Sequence, residues 1–310
     1  MDLHTALGPL QLRNPLIMAS GTFGYGWEFR DFLDYSRLGG VIAKTVTIRP
    51  RKGNPPPRTC ETACGVLNSI GLPNGGIDEF LRVGLPYLSR LDTCRIASIA
   101  GETVDEFVEM ARRISNQGGA DAIEVNISCP NVKKGGMAFG ADAPATEQVT
   151  RAVRAVCAVP VIVKLTPNVT SIGEIAAAAQ AGGADIISAV NTFLGMAVSW
   201  PDARPMLGNI VGGLSGPAIK PLALRNVWEV ARSVDIPVMG VGGIVTGADV
   251  LEFMTVGARA VQIGTASLVE PTAMERILSE MVAELDEHGF SSAEQALGRF
   301  KPSQGPSCCR

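Results

Sequence analysis

Two lysines stand at the ends of short apolar runs, Lys44 in VIAKTV (41–46) and Lys164 in VIVKLTP (161–167). An ammonium inside an apolar run is costly to bury unless an anion or several acceptors meet it. An ion pair in the interior is the plain alternative, with Glu124 and Asp185 as the visible partners. An anionic ligand explains both lysines better. Cys129 ends another run, in NISCPN (126–131), and Pro130 holds it extended. A buried cysteine is ordinarily a small core residue. This one lies between Asn126 and Asn131, just before the glycine-rich stretch 133–140. The only histidines, His4 and His288, are close to the chain ends. That argues against a Cys–His nucleophile, a histidine triad or a multi-histidine metal site. A cysteine without a histidine suits proton transfer better than acyl transfer. An ordinary thiol titrates near ~8.5, so such a base favours mildly alkaline conditions. Asn68, Asn126, Asn131 and Asn191 fall at run ends or in long connections. Each is an ordinary turn former by itself. Together their amides suit a neutral heterocycle with alternating C=O and N–H groups. Gly242-Gly243 and Gly264-Thr265 follow two further runs, each ahead of a helix start. Glycine lets the backbone approach an oxyanion, and N–H groups at a helix start donate to it, which suits a phosphate.

These residues must be positioned by eight short runs: 16–20, 41–45, 95–99, 122–127, 161–165, 185–190, 237–241 and 260–263. Each is too short for a helix and too apolar for a half-exposed strand. They read as strands of a parallel sheet buried on both faces. Amphipathic segments lie between them at 103–117, 145–156, 171–181, 218–234 and 247–255. Glycines precede the next strand at Gly118-Gly119, Gly182-Gly183 and Gly257, where positive φ ends a helix. Eight such units imply an α/β fold, a single (β/α)8 TIM barrel. A doubly wound open sheet is the main rival, but no G-x-G-x-x-G follows the first strand. Connections 46–76, 130–144 and 192–217 are too long for turns. All follow strands, so in a barrel they gather at the C-terminal face, where long loops cover sites.

The chain has 310 residues, 46% hydrophobic and 18% charged, enough for a large core. With 27 basic and 30 acidic residues it is weakly acidic, which argues against nucleic acid as a partner. Seven irregularly spaced cysteines do not suggest a disulfide framework. Cys60 and Cys64, with Cys60 on a loop, are too few for an iron–sulfur centre. The apolar stretch 175–200 is interrupted by Gln180, Asp185 and Asn191 and reads as helix plus strand, not a membrane span. No signal pattern opens the chain. We expect a cytoplasmic protein with one domain over 1–300 and a flexible tail over 301–310. Cys308-Cys309 in that tail read as incidental.

Taken together, these stretches resemble class 1 dihydroorotate dehydrogenases, and within that class the 1B catalytic subunit. The resemblance covers residues 16–270. It rests on ASGTFGYG (19–26), AKT (43–45), GVLNSIGLPN (65–74), NISCPNVKKGG (126–136), VNTFLGMA (190–197), GGLSGPAIKPLALR (212–225), GVGGI (240–244) and QIGTA (262–266). It implies FMN in the barrel and oxidation of (S)-dihydroorotate to orotate in pyrimidine biosynthesis. Cys129 would remove the C5 proton, with hydride passing from C6 to flavin N5. The resemblance implies FMN contacts at Ser20, Lys44, Thr45, Ser98, Asn126, Lys164, Val190, Gly216, Gly242, Gly243, Gly264 and Thr265. Lys164 would sit at the flavin N1–O2 edge, where negative charge gathers on reduction. The pyrimidine would be held by Lys44, Asn68, Ser69, Ile70, Gly71, Leu72, Asn126, Asn191 and Thr192, with Asn131 added. No metal is expected on this chain. FAD and a [2Fe–2S] cluster would reside on a partner subunit passing electrons to NAD+, in a heterotetramer built on a catalytic homodimer. Where the family carries asparagine at the end of strand three, this chain has Ser98, which keeps a hydrogen-bonding oxygen but loses reach. Three other readings remain at this point: a class 1A-like enzyme using fumarate, a reductase like dihydropyrimidine dehydrogenase, and an FMN-free scaffold barrel.

Overall fold

The computed structural model describes residues 1–128 and 139–301. Cys129, Asn131 and Cys308-Cys309 lie outside the described residues. Barrel strands one to eight are Leu16–Met18, Gly40–Ile42, Cys94–Ile99, Ala122–Asn126, Val161–Lys164, Ile186–Ala189, Val238–Val241 and Ala258–Ile263. They are parallel, pair in chain order and close between strands eight and one. The (β/α)8 barrel is therefore present, and all eight runs read from sequence are its staves.

Side chains alternate across each stave, and the two faces carry different chemistry. Leu16, Met18, Val41, Ala97, Ile99, Ile123, Val125, Val161, Val163, Ile187 and Val261 point outward into one large core shared with the helices. Ile17, Ile42, Ile96, Ala122, Ile162, Ile186, Met239 and Ala260 point inward and form an apolar floor. A small hairpin, Thr5–Leu7 with Leu10–Leu12, seals that floor with Leu7, Leu10 and Leu12. Two residues further up the same inner faces come Lys44, Ser98, Glu124, Lys164, Ser188 and Gln262. The period of two thus lifts a polar layer directly above an oily one.

The five amphipathic segments are helices at Val104–Gln117, Ala143–Arg154, Ile172–Ala181, Lys220–Ala231 and Gly247–Thr255. Four of the five starts carry a side-chain cap, and Lys220–Ala231 does not. Thr103 accepts from Glu106 N at 3.2 Å, Asp142 from Ala145 N at 2.9 Å and Ser171 from Glu174 N at 3.4 Å. Positive φ occurs at Gly118, Gly119, Gly183 and Gly257. Gly182 is the exception, remaining right-handed with φ −73°, because the turn is completed by Gly183.

Connections 46–76 and 192–217 are not separate loops. Thr59–Thr62, Gly65–Asn68, Gly212–Ser215 and Phe193–Gly195 join into one four-stranded antiparallel sheet over the barrel mouth. Cys60, expected on a loop, lies on the first of these strands and is buried. Among the described residues no helix is long and apolar enough to cross a membrane.

Candidate active site

The C-terminal rim gathers the expected residues along two arcs. The first is an asparagine arc. Asn126, at the end of barrel strand four, accepts from Asn191 Nδ2 at 3.4 Å and from Ser128 N at 3.2 Å. Asn191 is held in turn by Leu165 O, which accepts its N–H at 2.8 Å, and its own Oδ1 accepts from Thr192 N at 2.8 Å. Thr192 packs so closely on Gly213 that a Cβ there would collide with it. The Gly213 carbonyl accepts from Asn68 Nδ2 at 3.2 Å. Three asparagines from connections far apart in sequence therefore share one contiguous patch.

The segment from Asn68 to Leu72 is held by residues that sequence reasoning missed. Asn54 donates from N to Ile70 O at 3.0 Å and from Nδ2 to Ser69 O at 3.0 Å. Asn74 Nδ2 donates to Leu72 O at 2.8 Å and to Thr47 Oγ1 at 2.9 Å. Gly71 and Leu72 both have positive φ, 78° and 53°. A leucine in the left-handed region is uncommon and marks a segment fixed by its surroundings. Ser69 is buried, and its Oγ has no partner among the described residues. A buried hydroxyl without a partner is costly, and a polar ligand would remove that cost. Asn74 closes the GVLNSIGLPN string, but nothing in the sequence marks Asn54 or Asn74 as supports of this segment.

The second arc is a glycine cradle. Gly216, Gly242 and Gly243 have φ of 97°, 132° and 76°. A Cβ on Gly243 would lie 2.7 Å from Lys220 N, and one on Gly216 would lie 2.8 Å from Gly65 Cα. Thr265 Oγ1 donates to Ser215 Oγ at 2.9 Å, joining the strand-eight turn to the Gly216 turn. Gly264 packs on Ala19, beside Ser20. These turns suit an anion held by backbone. One detail differs from expectation. The helix after barrel strand seven starts at Gly247, four residues past Gly243, and its end is already capped. Thr246 and Asp249 form a capping box, and Asp249 also accepts from Val245 N and Lys220 Nζ. The loop glycines, not that helix start, are what remains for a ligand.

The two lysines come from the ends of barrel strands two and five. Lys44 is half-buried, and burial lowers its ammonium below the ordinary lysine range, with Glu28 opposing. Lys164 is buried, and its Nζ donates to Gln262 Oε1 at 3.2 Å. Of the two carboxylates considered as partners, Asp185 pairs with Arg154 at 2.8 Å on the outside of the barrel. Glu124 is fully buried in the polar layer and meets Lys164 only through Gln262. Ser98 is also fully buried. Its Oγ donates to Glu124 Oε1 at 3.2 Å and lies 2.9 Å from Thr45 Oγ1. A hydroxyl has one proton, so Thr45 donates to Ser98. Val190 N donates to Val241 O at 3.1 Å, tying strand six to strand seven at the rim. Among the described residues no group of three or more His, Cys, Asp or Glu side chains is arranged to hold a metal.

Fold and rim together define a (β/α)8 barrel with a polar layer under its mouth, asparagines along one arc of the rim and glycine turns along the other. The model of the dihydroorotate dehydrogenase family matches residues 2–285, and the chain belongs to that family. It is 48% identical over 300 residues to the "Dihydroorotate dehydrogenase B (NAD(+)), catalytic subunit" of Geobacter sp. (strain M21), covering 97% of this chain and 98% of the relative. The protein of the same name from Desulforamulus reducens is 48% identical over 298 residues, covering 96% and 98%. That from Thermoanaerobacter sp. (strain X514) is 47% identical over 301 residues, covering 97% and 99%.

Proposed function

We propose that this chain is an FMN-dependent catalytic subunit that oxidises (S)-dihydroorotate to orotate in pyrimidine biosynthesis. The observation that carries this is the convergence, at one barrel mouth, of the Asn68–Asn191–Asn126 patch and the glycine cradle, with Lys44 and Lys164 contributed by the ends of strands two and five of the same barrel. The cradle of Gly216, Gly242, Gly243, Gly264 and Thr265 fits the flavin phosphate, with Ser20, Thr45, Val190 and Lys164 along the rest of the cofactor. When bound, FMN supplies a two-electron acceptor for the hydride leaving C6.

The chain's own residues supply the remainder. Asn68, Asn126 and Asn191 hold the ring C=O and N–H groups, and Asn131 and the 69–72 segment are assigned to the same ligand. Lys44 binds the carboxylate, and its partly desolvated ammonium gains most from an anionic partner. Cys129 takes the C5 proton. Loss of that proton from C5 and of hydride from C6 leaves the C5=C6 double bond of orotate, so two electrons leave the substrate. Lys164 places positive charge where negative charge collects as they arrive.

The test is an absorbance spectrum followed by anaerobic titration with dihydroorotate. A yellow protein whose flavin band bleaches stoichiometrically is expected. A colourless protein that stays colourless after FMN is added, or a yellow one that dihydroorotate does not bleach, overturns the reading.

Electrons are proposed to pass to NAD+ through a partner subunit carrying FAD and a [2Fe–2S] cluster, with a cytoplasmic location. The name of the relatives, a catalytic subunit, supports a partner. A catalytic homodimer is part of the proposal. Support comes from the 193–215 segment, where Leu194, Met196, Trp200 and Ile210 are all more than half exposed. A cluster of this kind marks an association surface, and we assign it to a second copy of the chain. Sedimentation should give a dimer that Trp200→Asp weakens at least tenfold. A wild-type monomer at micromolar concentration would remove the assignment.

A further inference from the structure

The polar layer contains more than the lysine needs. Gln262 is the joint. Its Nε2 donates to Glu124 Oε2 at 2.9 Å and to Ser188 Oγ at 2.9 Å, while its Oε1 accepts from Lys164 Nζ. An amide can face either way, and only its partners decide which end points where. A carboxylate has no proton to give, so Glu124 forces the NH2 end towards itself. That leaves the carbonyl end facing Lys164. Glu124 is itself fixed from the other side by Ser98 and, through it, Thr45. Glu124, Ser98 and Ser188 are fully buried and Gln262 is 1% exposed, so water does not compete for these bonds.

We propose that Glu124 and Gln262 are positioning residues that set the electron affinity of the bound flavin by fixing where the Lys164 ammonium sits. The relay turns a carboxylate that cannot reach the lysine into an acceptor that can. Without it the amide is free to present NH2, and the ammonium withdraws from the flavin edge. Ser98 belongs to the same device: its short side chain reaches Glu124 and Thr45 while remaining wholly inside the barrel. This inference rests on the FMN reading above.

The test measures the midpoint potential of bound FMN in the full-length protein, with far-ultraviolet dichroism and flavin content as controls. Two variants cut the relay differently. Gln262→Met keeps an unbranched side chain of similar length but removes the acceptor, and Glu124→Gln removes the charge that orients the amide. Both are expected to shift the oxidised–reduced equilibrium at least tenfold towards oxidised flavin, a fall of about 30 mV for a two-electron couple. Sulfite affinity at the flavin should weaken in parallel. A through-space role for Glu124 predicts the opposite. Removing its negative charge would raise the potential, and Gln262→Met would leave it unchanged. That result overturns the relay, as does an unchanged potential in both variants or loss of FMN from both. Absence of FMN from the wild-type protein would instead strike the functional reading itself.

Discussion

Cys129→Ala should keep its yellow flavin and lose dihydroorotate turnover by about 10²–10⁴-fold, the usual contribution of a positioned general base. The reasoning is one of elimination on residue types. The two histidines are His4 and His288, at the ends of the chain and outside the rim described above. In the proposal above Lys44 is assigned to the substrate carboxylate and Lys164 to the flavin edge, and Glu124 is sealed beneath the rim. In sequence Cys129 comes three residues after Asn126, which ends barrel strand four and which the structure puts in the asparagine arc. The pH profile carries the same information. Only the thiolate accepts a proton, so kcat/KM should rise with pH towards the ordinary thiol range near ~8.5. That rising limb should vanish in the variant. Single-turnover bleaching of flavin by dihydroorotate is the direct measurement. A variant that bleaches at the wild-type rate would falsify a proton-transfer role for Cys129.

Lys44→Ala should discriminate between ligands. Orotate and dihydroorotate carry a carboxylate, whereas uracil and dihydrouracil do not. A charge-assisted hydrogen bond contributes about 1.5–3 kcal/mol, or roughly 10–10²-fold in affinity. The variant should therefore bind orotate that much more weakly and bind uracil almost unchanged. Burial already disfavours the Lys44 ammonium, and Glu28 offsets this only in part. An incoming carboxylate is thus matched to a cation short of counter-charge. Flavin content must be measured alongside, because Lys44 also borders the proposed cofactor. Equal weakening of both ligands at full flavin content would mean that Lys44 does not read the carboxylate.

The staves were legible because parallel strands buried on both faces leave an unmistakable pattern, a β-branched apolar run followed by a turn signal. The chemistry at their ends was legible for the complementary reason. Lys44, Lys164 and Asn126 violate that pattern, and the violation marks them. Gln262 and Ser188 were missed because a single polar residue in a strand carries no sign of which face it takes. Only the closed register puts them on the same inner layer as Lys164. The sequence offers Glu124 only as a direct lysine partner, since it cannot show that an amide stands between them. The roof sheet escaped for a different reason. Its strands are only three or four residues long, and the ladder that joins its two halves pairs residues as distant in sequence as Asn68 with Gly213 and Val66 with Ser215. The floor hairpin was lost likewise, in strands of three residues.

Roof loops of (β/α)8 proteins are commonly treated as interchangeable parts, each grafted alone onto a constant frame. The shared sheet denies that freedom here. Exchanging residues 59–68 with a homologue's would leave Gly212–Ser215 with a foreign neighbour, and the ladder from Val66 to Asn68 would have to be rebuilt. Natural recombination and laboratory chimaeras alike should therefore succeed only when both segments travel as a couple, and a breakpoint between them is where hybrid proteins of this group should most often fail.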